Sequence, residues 1–287
     1  MSHQSAFRIL SYNIWFDLFE MERRMEAIGT IVCRRNPDFI AFQEVTKTNL
    51  QLLMKQDWFS TYQTTRTRYD FRYFTVILSK KRIDSEERKA FDNSTMARDL
   101  LSIDTSISLS DHVTVPLTVA TSHLESLPDY TFQREQQLAE SLGHLASRQN
   151  VVFTGDMNIE NKIDGQVHVP APWCDAWPVV NGLMPEENGH TWNPRINTMI
   201  PRRATQPNRL DRMFVSLSDF TVKRAELVGN EPFDGDLFPS DHFGLLVEFE
   251  AFTNGLKGKS EFKIENISNS RRPGLFERPP NWKKYIG

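Results

Sequence analysis

Residues 151–158 read VVFTGDMN, and their reading sets the fold. The β-branched, apolar run VVFTG is a buried strand. It ends in a polar turn that carries Asp156 and Asn158. An acid and an amide two residues apart project the same way from a strand or an open turn. Taken alone, GDxN fits a structural Asx turn equally well. The same punctuation recurs along the chain. Asn13 follows ILSY, Gln43-Glu44 follow FIAF, and Ser122-His123 follow VPLTVAT; Asp211 stands inside RLDRMFV, and Asp241-His242 precede GLLVEF. Burying such groups unpaired costs about 1–3 kcal/mol each, and more when they are charged. Strand ends that converge on one edge, pooling these groups in one polar pocket, avoid that cost.

Working outward, segment 7–12 (FRILSY) is a strand, and Met21, Met25, Ile28 and Val32 recur at the spacing of a helix with one buried face. Pro37-Asp38 breaks this helix, FIAFQEV (39–45) follows as a buried strand, and 46–55 is helical. Strands are expected at 72–79, 84–91, 98–109 and 113–122, with Lys, Asp, Ser and Asn turns between them. Residues 131–147 form a helix with Leu138, Leu142 and Leu145 on one face, and further strands are expected at 210–216, 221–228 and 243–250. Strands outnumber helices and follow one another, which favours two packed, mostly antiparallel sheets with helices outside. Residues 1–252 read as one catalytic domain. From 253 to 287 the chain turns polar, basic and proline-bearing, as either a mobile tail or a docked arm anchored by Phe276 and Trp282.

Composition narrows the partners. A formal charge of -3 gives no global basic field, so a nucleic acid would need a local patch, and a small anionic substrate fits equally. Two cysteines, Cys33 and Cys174, are too few for a disulfide scaffold and indicate a reducing compartment. The start MSHQSAFRIL has no charged and then apolar pattern of a secretory signal, and no apolar run approaches the roughly 20 residues of a membrane span. Walker, GxGxxG, GxSxG and CxxC patterns are absent from the sequence.

The polar inventory suits phosphoryl chemistry. Magnesium takes oxygen ligands, typically one or two carboxylates, and Glu44 on a strand end is the best candidate, although an exposed strand-end glutamate has the same sequence. Asp156 with Asn158 offers an acceptor and an amide to orient a water. His242 as an imidazolium would face a phosphate oxygen, with Asp211 as the carboxylate that holds it. The bland alternative is a surface histidine.

In order, SYNI (11–14), QEV (43–45), SHLES (122–126), GDMN (155–158), RLDR (209–212) and SDH (240–242) resemble the endonuclease/exonuclease/phosphatase superfamily over about residues 7–250. That resemblance implies a four-layer α/β/β/α sandwich. NSTMARDLL (93–101), TSHLES, Arg134 and Leu138 on the helix before GDMN, HTW (190–192), RLDRMFV and FPSDHFGLL (238–246) are similar to the 5′-tyrosyl-DNA phosphodiesterases. The resemblance implies that Glu44 binds Mg2+, with Mn2+ as the alternative, and that Asp241 supports that site from behind. It implies that Asp156 positions the attacking water, that Asn158 and Asn13 fix phosphate and water, and that His242, held by Asp211, stabilises the transition state. His123 and Ser126 would contact the scissile phosphate, and Trp192 would pack on a nucleotide. Two positions depart from the pattern: Glu160 and Leu127-Pro128 stand where arginines are common, and Arg202, Arg203 and Arg209 are the candidates to compensate. The implied substrate is DNA with a 5′-tyrosyl adduct on a single-stranded end, acted on by a monomer in the nucleus, or also in the cytoplasm, with no membrane involved. The alternatives are the same chemistry on RNA, abasic DNA or a lipid phosphodiester, and a non-catalytic scaffold.

Overall fold

Alternate residues of the central strands serve two different cores, because successive side chains of a strand point to opposite faces. The computed structural model describes residues 5–182, 188–252 and 275–277. In chain order they form β1 (Ala6–Asn13), α1 (Met21–Arg35), β2 (Phe39–Val45), α2 (Lys47–Met54), β3 (Gln63–Thr64), β4 (Phe74–Ser79), β5 (Ser85–Ala90), β6 (Asp99–Ser110), β7 (Val113–His123) and α3 (Thr131–Leu145). These are followed by β8 (Val151–Asp156), β9 (Gln166–Val167), β10 (Cys174–Asp175), α4 (Ala176–Asn181), β11 (Asp211–Ser216), β12 (Phe220–Val228), β13 (Gly244–Ala251) and β14 (Phe276–Glu277).

Two sheets of six strands result, ordered β12-β13-β1-β2-β4-β3 and β10-β11-β8-β7-β6-β5. Each is antiparallel except at its centre, where β1 runs parallel to β2 and β7 parallel to β8. Each of those two pairs is joined through a helix, α1 and α3, as a parallel crossover requires. Phe7, Ile9, Phe39 and Ile77 of the first sheet meet Ile103, Val119, Val152 and Met213 of the second in the inter-sheet core. Their neighbours Leu10, Ile40, Val76 and Leu78 face outward to Met25, Ile28 and Val32 of α1 and Leu50 and Leu53 of α2. On the far side Ala120, Val151, Phe153 and Phe214 pack with Leu138, Leu142 and Leu145 of α3. This is the expected four-layer α/β/β/α sandwich.

Local chemistry sets the helix ends. Asn36 closes α1 in the left-handed region ahead of Pro37, and Thr46 caps α2 in a reciprocal box with Asn49. Of the segment after 252, only residues 275–277 are described. Phe276 pairs with Val167, is 5% exposed and joins the α3-side core, as the docked-arm reading expected of that residue. Trp282 lies outside the described residues.

Candidate active site

The strand registers bring the polar strand ends together. Asn13 pairs with Gln43 across the parallel β1–β2 ladder, and His123 with Asp156 across β7–β8. Asp211 enters beside Asp156 from the antiparallel neighbour β11. Asn13 of the first sheet then donates through Nδ2 to Asp156 Oδ2 of the second at 2.9 Å, closing the two sheets over one edge. The backbone here departs from ordinary geometry. Gly155 has φ 146°, and a Cβ there would lie 1.9 Å from the Ser122 carbonyl oxygen, so only glycine fits. Asn158 (φ 52°), Glu44 (φ 58°), Trp15 (φ 56°) and Ala97 (φ 56°) are all left-handed, a conformation costly for non-glycine residues and concentrated at functional sites. A register shift in β2 between Phe42 and Val45 re-aims Glu44, whose Oε2 accepts the Phe16 N–H at 3.1 Å. The Asn158 N–H donates to Asp156 Oδ1 at 3.0 Å, so GDMN is an Asx turn and a site element at once.

Two buried imidazoles flank Asp156 in opposite protonation states. Arg98 Nη1 lies 2.8 Å from His123 Nδ1. Arginine only donates, so that nitrogen accepts and the proton sits on Nε2, 3.4 Å from Asp156 Oδ2. Burial, then the Arg98 charge, holds His123 well below the ordinary histidine range, so it is neutral. His242 donates from Nδ1 to Asp211 Oδ2 at 2.8 Å, with its Nε2 3.7 Å from Asp156 Oδ2. Burial opposes its charge, but Asp211, Asp156 and Asp241 outweigh burial and hold it well above the ordinary range, as an imidazolium. Burial would raise Asp156, yet His242, His123, Asn13 and the Asn158 N–H together depress it, so it is ionised.

The remaining carboxylates lack compensation. Burial, then the Asp241 charge, pushes Glu44 up to about 7. Asp241 is raised by burial and by Asp156, against the opposing charges of His242 and Arg24. Among the described residues neither Glu44 nor Asp241 belongs to an ion pair. Asp211 Oδ1 is buried with no hydrogen-bond partner. A surplus of negative charge among oxygen donors is the setting a hard divalent cation satisfies. Ligand atoms of Asp156, Asp211 and His242 also lie within 4.8 Å of one another.

Other expected residues fare differently. Ser126 Oγ accepts from Arg98 Nη2 at 2.8 Å. Trp192 is half-buried and pairs its backbone with Asn208. Arg209 does not compensate for the missing arginines: it is 7% exposed, and its Nη2 lies 2.7 Å from Asp175, which Arg212 also approaches at 3.5 Å. Arg202 and Arg203 are exposed, and Glu160 accepts from Asn208 Nδ2 at 3.1 Å. The sequence reading missed Arg98. It is 4% exposed, stacks over Tyr73 at 5.1 Å and makes no ion pair among the described residues. Ser94 Oγ accepts its N–H, and the buried Glu125 of SHLES accepts from Ser94 Oγ and the Thr95 N–H. The available signal was its place within NSTMARDLL, beside the residues that anchor it.

A sandwich with this edge defines a class. The chain belongs to the endonuclease/exonuclease/phosphatase family, whose model matches residues 10–242. Within it, mouse tyrosyl-DNA phosphodiesterase 2 is 29% identical over 259 residues, covering 86% of this chain and 66% of that protein. The human protein of that name is 28% identical, covering 86% and 68%. The chain thus spans about two thirds of the length of the curated relatives it matches. Among solved structures, D. rerio TDP2 complexed with single strand DNA product superposes with a TM-score of 0.75 at 25% identity, covering 85% of this chain and 99% of that one. Truncated Caenorhabditis elegans TDP2 gives 0.74 at 26%, covering 86% and 98%.

Proposed function

We propose that this chain is a Mg2+-dependent phosphodiesterase that hydrolyses the 5′-phosphotyrosyl bond of DNA, releasing tyrosine or a tyrosine-linked peptide and leaving a 5′ phosphate. The observation that carries the reading is Asp156, held ionised between Asn13, the Asn158 N–H, one cationic imidazole and one neutral one. Such a carboxylate orients a water and takes its proton. The His242 imidazolium, fixed by Asp211, presents an Nε2–H to charge developing on the phosphoryl oxygens. Neutral His123 presents a second Nε2–H, and Arg98 offers a cation that pairs with no carboxylate among the described residues. Glu44, with Asp241 behind it, is the carboxylate that fits the metal. His242 is read as a transition-state cation and not as a ligand, because the carboxylates of Asp211, Asp156 and Asp241 favour its imidazolium form. A bound divalent cation supplies Lewis-acid stabilisation of phosphoryl charge. Tyrosine, with a phenol pKa of about 10, leaves with little protonation.

The relatives named tyrosyl-DNA phosphodiesterase and the complex with single-stranded DNA product support this substrate. Repair work in the nucleus by a monomer is part of the same proposal. One observation favours a second substrate for the same chemistry. Leu127 is 60% exposed and Glu160 is tied to Asn208, where the resembled enzymes commonly place arginines. A panel of 5′-tyrosyl oligonucleotide, abasic duplex, poly(A) and sphingomyelin, each with Mg2+ and with EDTA, tests both readings. Fastest metal-dependent release from the tyrosyl oligonucleotide is expected. Turnover confined to another member would retain the chemistry and overturn the substrate.

A further inference from the structure

Arg24 lies on the buried face of α1, between Met21 and Met25, and is 0% exposed. An arginine there needs partners for a full fork of donors, and it forms no ion pair with a carboxylate among the described residues. Its Nε donates to the Phe19 carbonyl at 2.8 Å. Nη1 reaches the carbonyls of Ile14 at 3.2 Å, Trp15 at 3.4 Å and Pro239 at 3.5 Å. Nη2 reaches those of Trp15 at 3.4 Å and Asp17. The guanidinium also lies over the Trp15 ring, 4.6 Å from its centroid.

These carbonyls belong to two loops, one that hydrogen-bonds the Glu44 carboxylate and one that carries Asp241. The first runs from Asn13 through left-handed Trp15, whose N–H donates to Asn13 Oδ1 at 3.0 Å, to Phe16, whose N–H donates to Glu44 Oε2. The second runs from Pro239 to Ser240, whose Oγ donates to the Asn13 carbonyl at 2.7 Å, and on to Asp241 and His242. Asp241, Asp17 and Glu44 are also the acids whose fields reach the guanidinium. Arginine's planar fork can serve several carbonyls at once, whereas an ammonium offers one point charge.

We propose that Arg24 is the positioning residue of the metal site: it bolts the Ile14–Phe19 loop to the Pro239–His242 loop and thereby sets Glu44 and Asp241 for the cation. The inference rests on the reading of Glu44 as the metal ligand. Groups that orient metal ligands from behind typically account for about 10–100-fold in metal affinity.

The test is calorimetric titration of Mg2+ into purified parent protein, R24M and R24K, with folding checked by circular dichroism and with steady-state kinetics on the tyrosyl oligonucleotide. R24M keeps the side-chain length and apolar stem; R24K keeps the charge without the fork. Both are expected to weaken Mg2+ binding by about 10–100-fold. The Mg2+ concentration for half-maximal turnover should rise in step, while KM for the oligonucleotide at saturating metal stays within about twofold and kcat falls, a split that loss of fold alone does not produce. Folded R24M or R24K with parental Mg2+ affinity would overturn the proposal. Failure of both to fold would overturn it too, by making Arg24 a structural residue only. Failure of the underlying reading is separate: the parent itself would then show no Mg2+ binding, or E44A would bind Mg2+ as the parent does.

Discussion

Asp211→Asn removes one charge and almost no volume from the centre of the site. Asp211 is 0% exposed and accepts the His242 Nδ1 proton at 2.8 Å. A hydrogen bond between two charged groups contributes about 1.5–3 kcal/mol. At about 1.4 kcal/mol per pKa unit, its loss lowers the pKa of His242 by roughly one to two units. The sign follows from which form acts. The imidazolium is the active form, and its folded-state pKa is raised, so activity is present below that pKa and lost as pH rises through it. In the variant the alkaline limb of kcat/KM should move down by that same interval. At a pH between the two limbs the rate should fall by up to about 10–100-fold, the factor by which the cationic form is depleted. Initial rates of tyrosine release between pH 6 and 10, at saturating metal, measure both effects. A variant with an unshifted alkaline limb would refute the assignment of His242 as a cation held by Asp211, even if its rate fell.

Three other perturbations probe separate parts of the account. Glu44→Gln should abolish the heat of Mg2+ binding in calorimetry and lower turnover at least about 100-fold, the scale of a lost electrostatic stabiliser; a parental isotherm would place the cation elsewhere. Arg98→Met and Arg98→Lys should both lower kcat/KM by about 10–100-fold, because one ammonium cannot serve His123, Ser126 and a phosphate together; full activity of the lysine variant would argue against that role. Asp175→Asn should destabilise by about 3–5 kcal/mol in urea unfolding by leaving Arg209 and Arg212 buried without a carboxylate. Burial would raise Asp175, but Arg209 and Arg212 outweigh it and depress its pKa, so its contribution is full above the unfolded value of about 3.9 and lost as pH falls through the lower folded one. The gap between parent and variant should therefore narrow below about pH 4, and a constant gap would exclude the ion pair as its cause.

The layers were legible because the central strands are apolar on both faces. FIAF and VVF can only be strands covered twice, and the helices supply the outer cover through Met25, Ile28, Leu138 and Leu142. The candidate site residues were legible by type and place, since each polar group borders an apolar run. Their aim was not. Glu44 points into the site through a bulge, and Asn158 through a left-handed turn; neither shows in composition. Arg209 was misread because its partner Asp175 sits on a two-residue strand with no periodic signal. Arg98 was overlooked because the partners of its guanidinium, His123 and Ser126, are distant in sequence. Arg24 had a visible signal, a charge on the apolar stripe of α1, whose meaning depends on carbonyls of two loops.

The location of the cation is the point on which the chemistry turns. Crystals soaked in Mn2+ and measured at the manganese absorption edge would show it directly. A single anomalous peak against the Glu44 carboxylate, with the Asp211–His242 hydrogen bond intact, is the predicted result. A peak enclosed by Asp156, Asp211 and His242, with Glu44 left aside, would contradict the account.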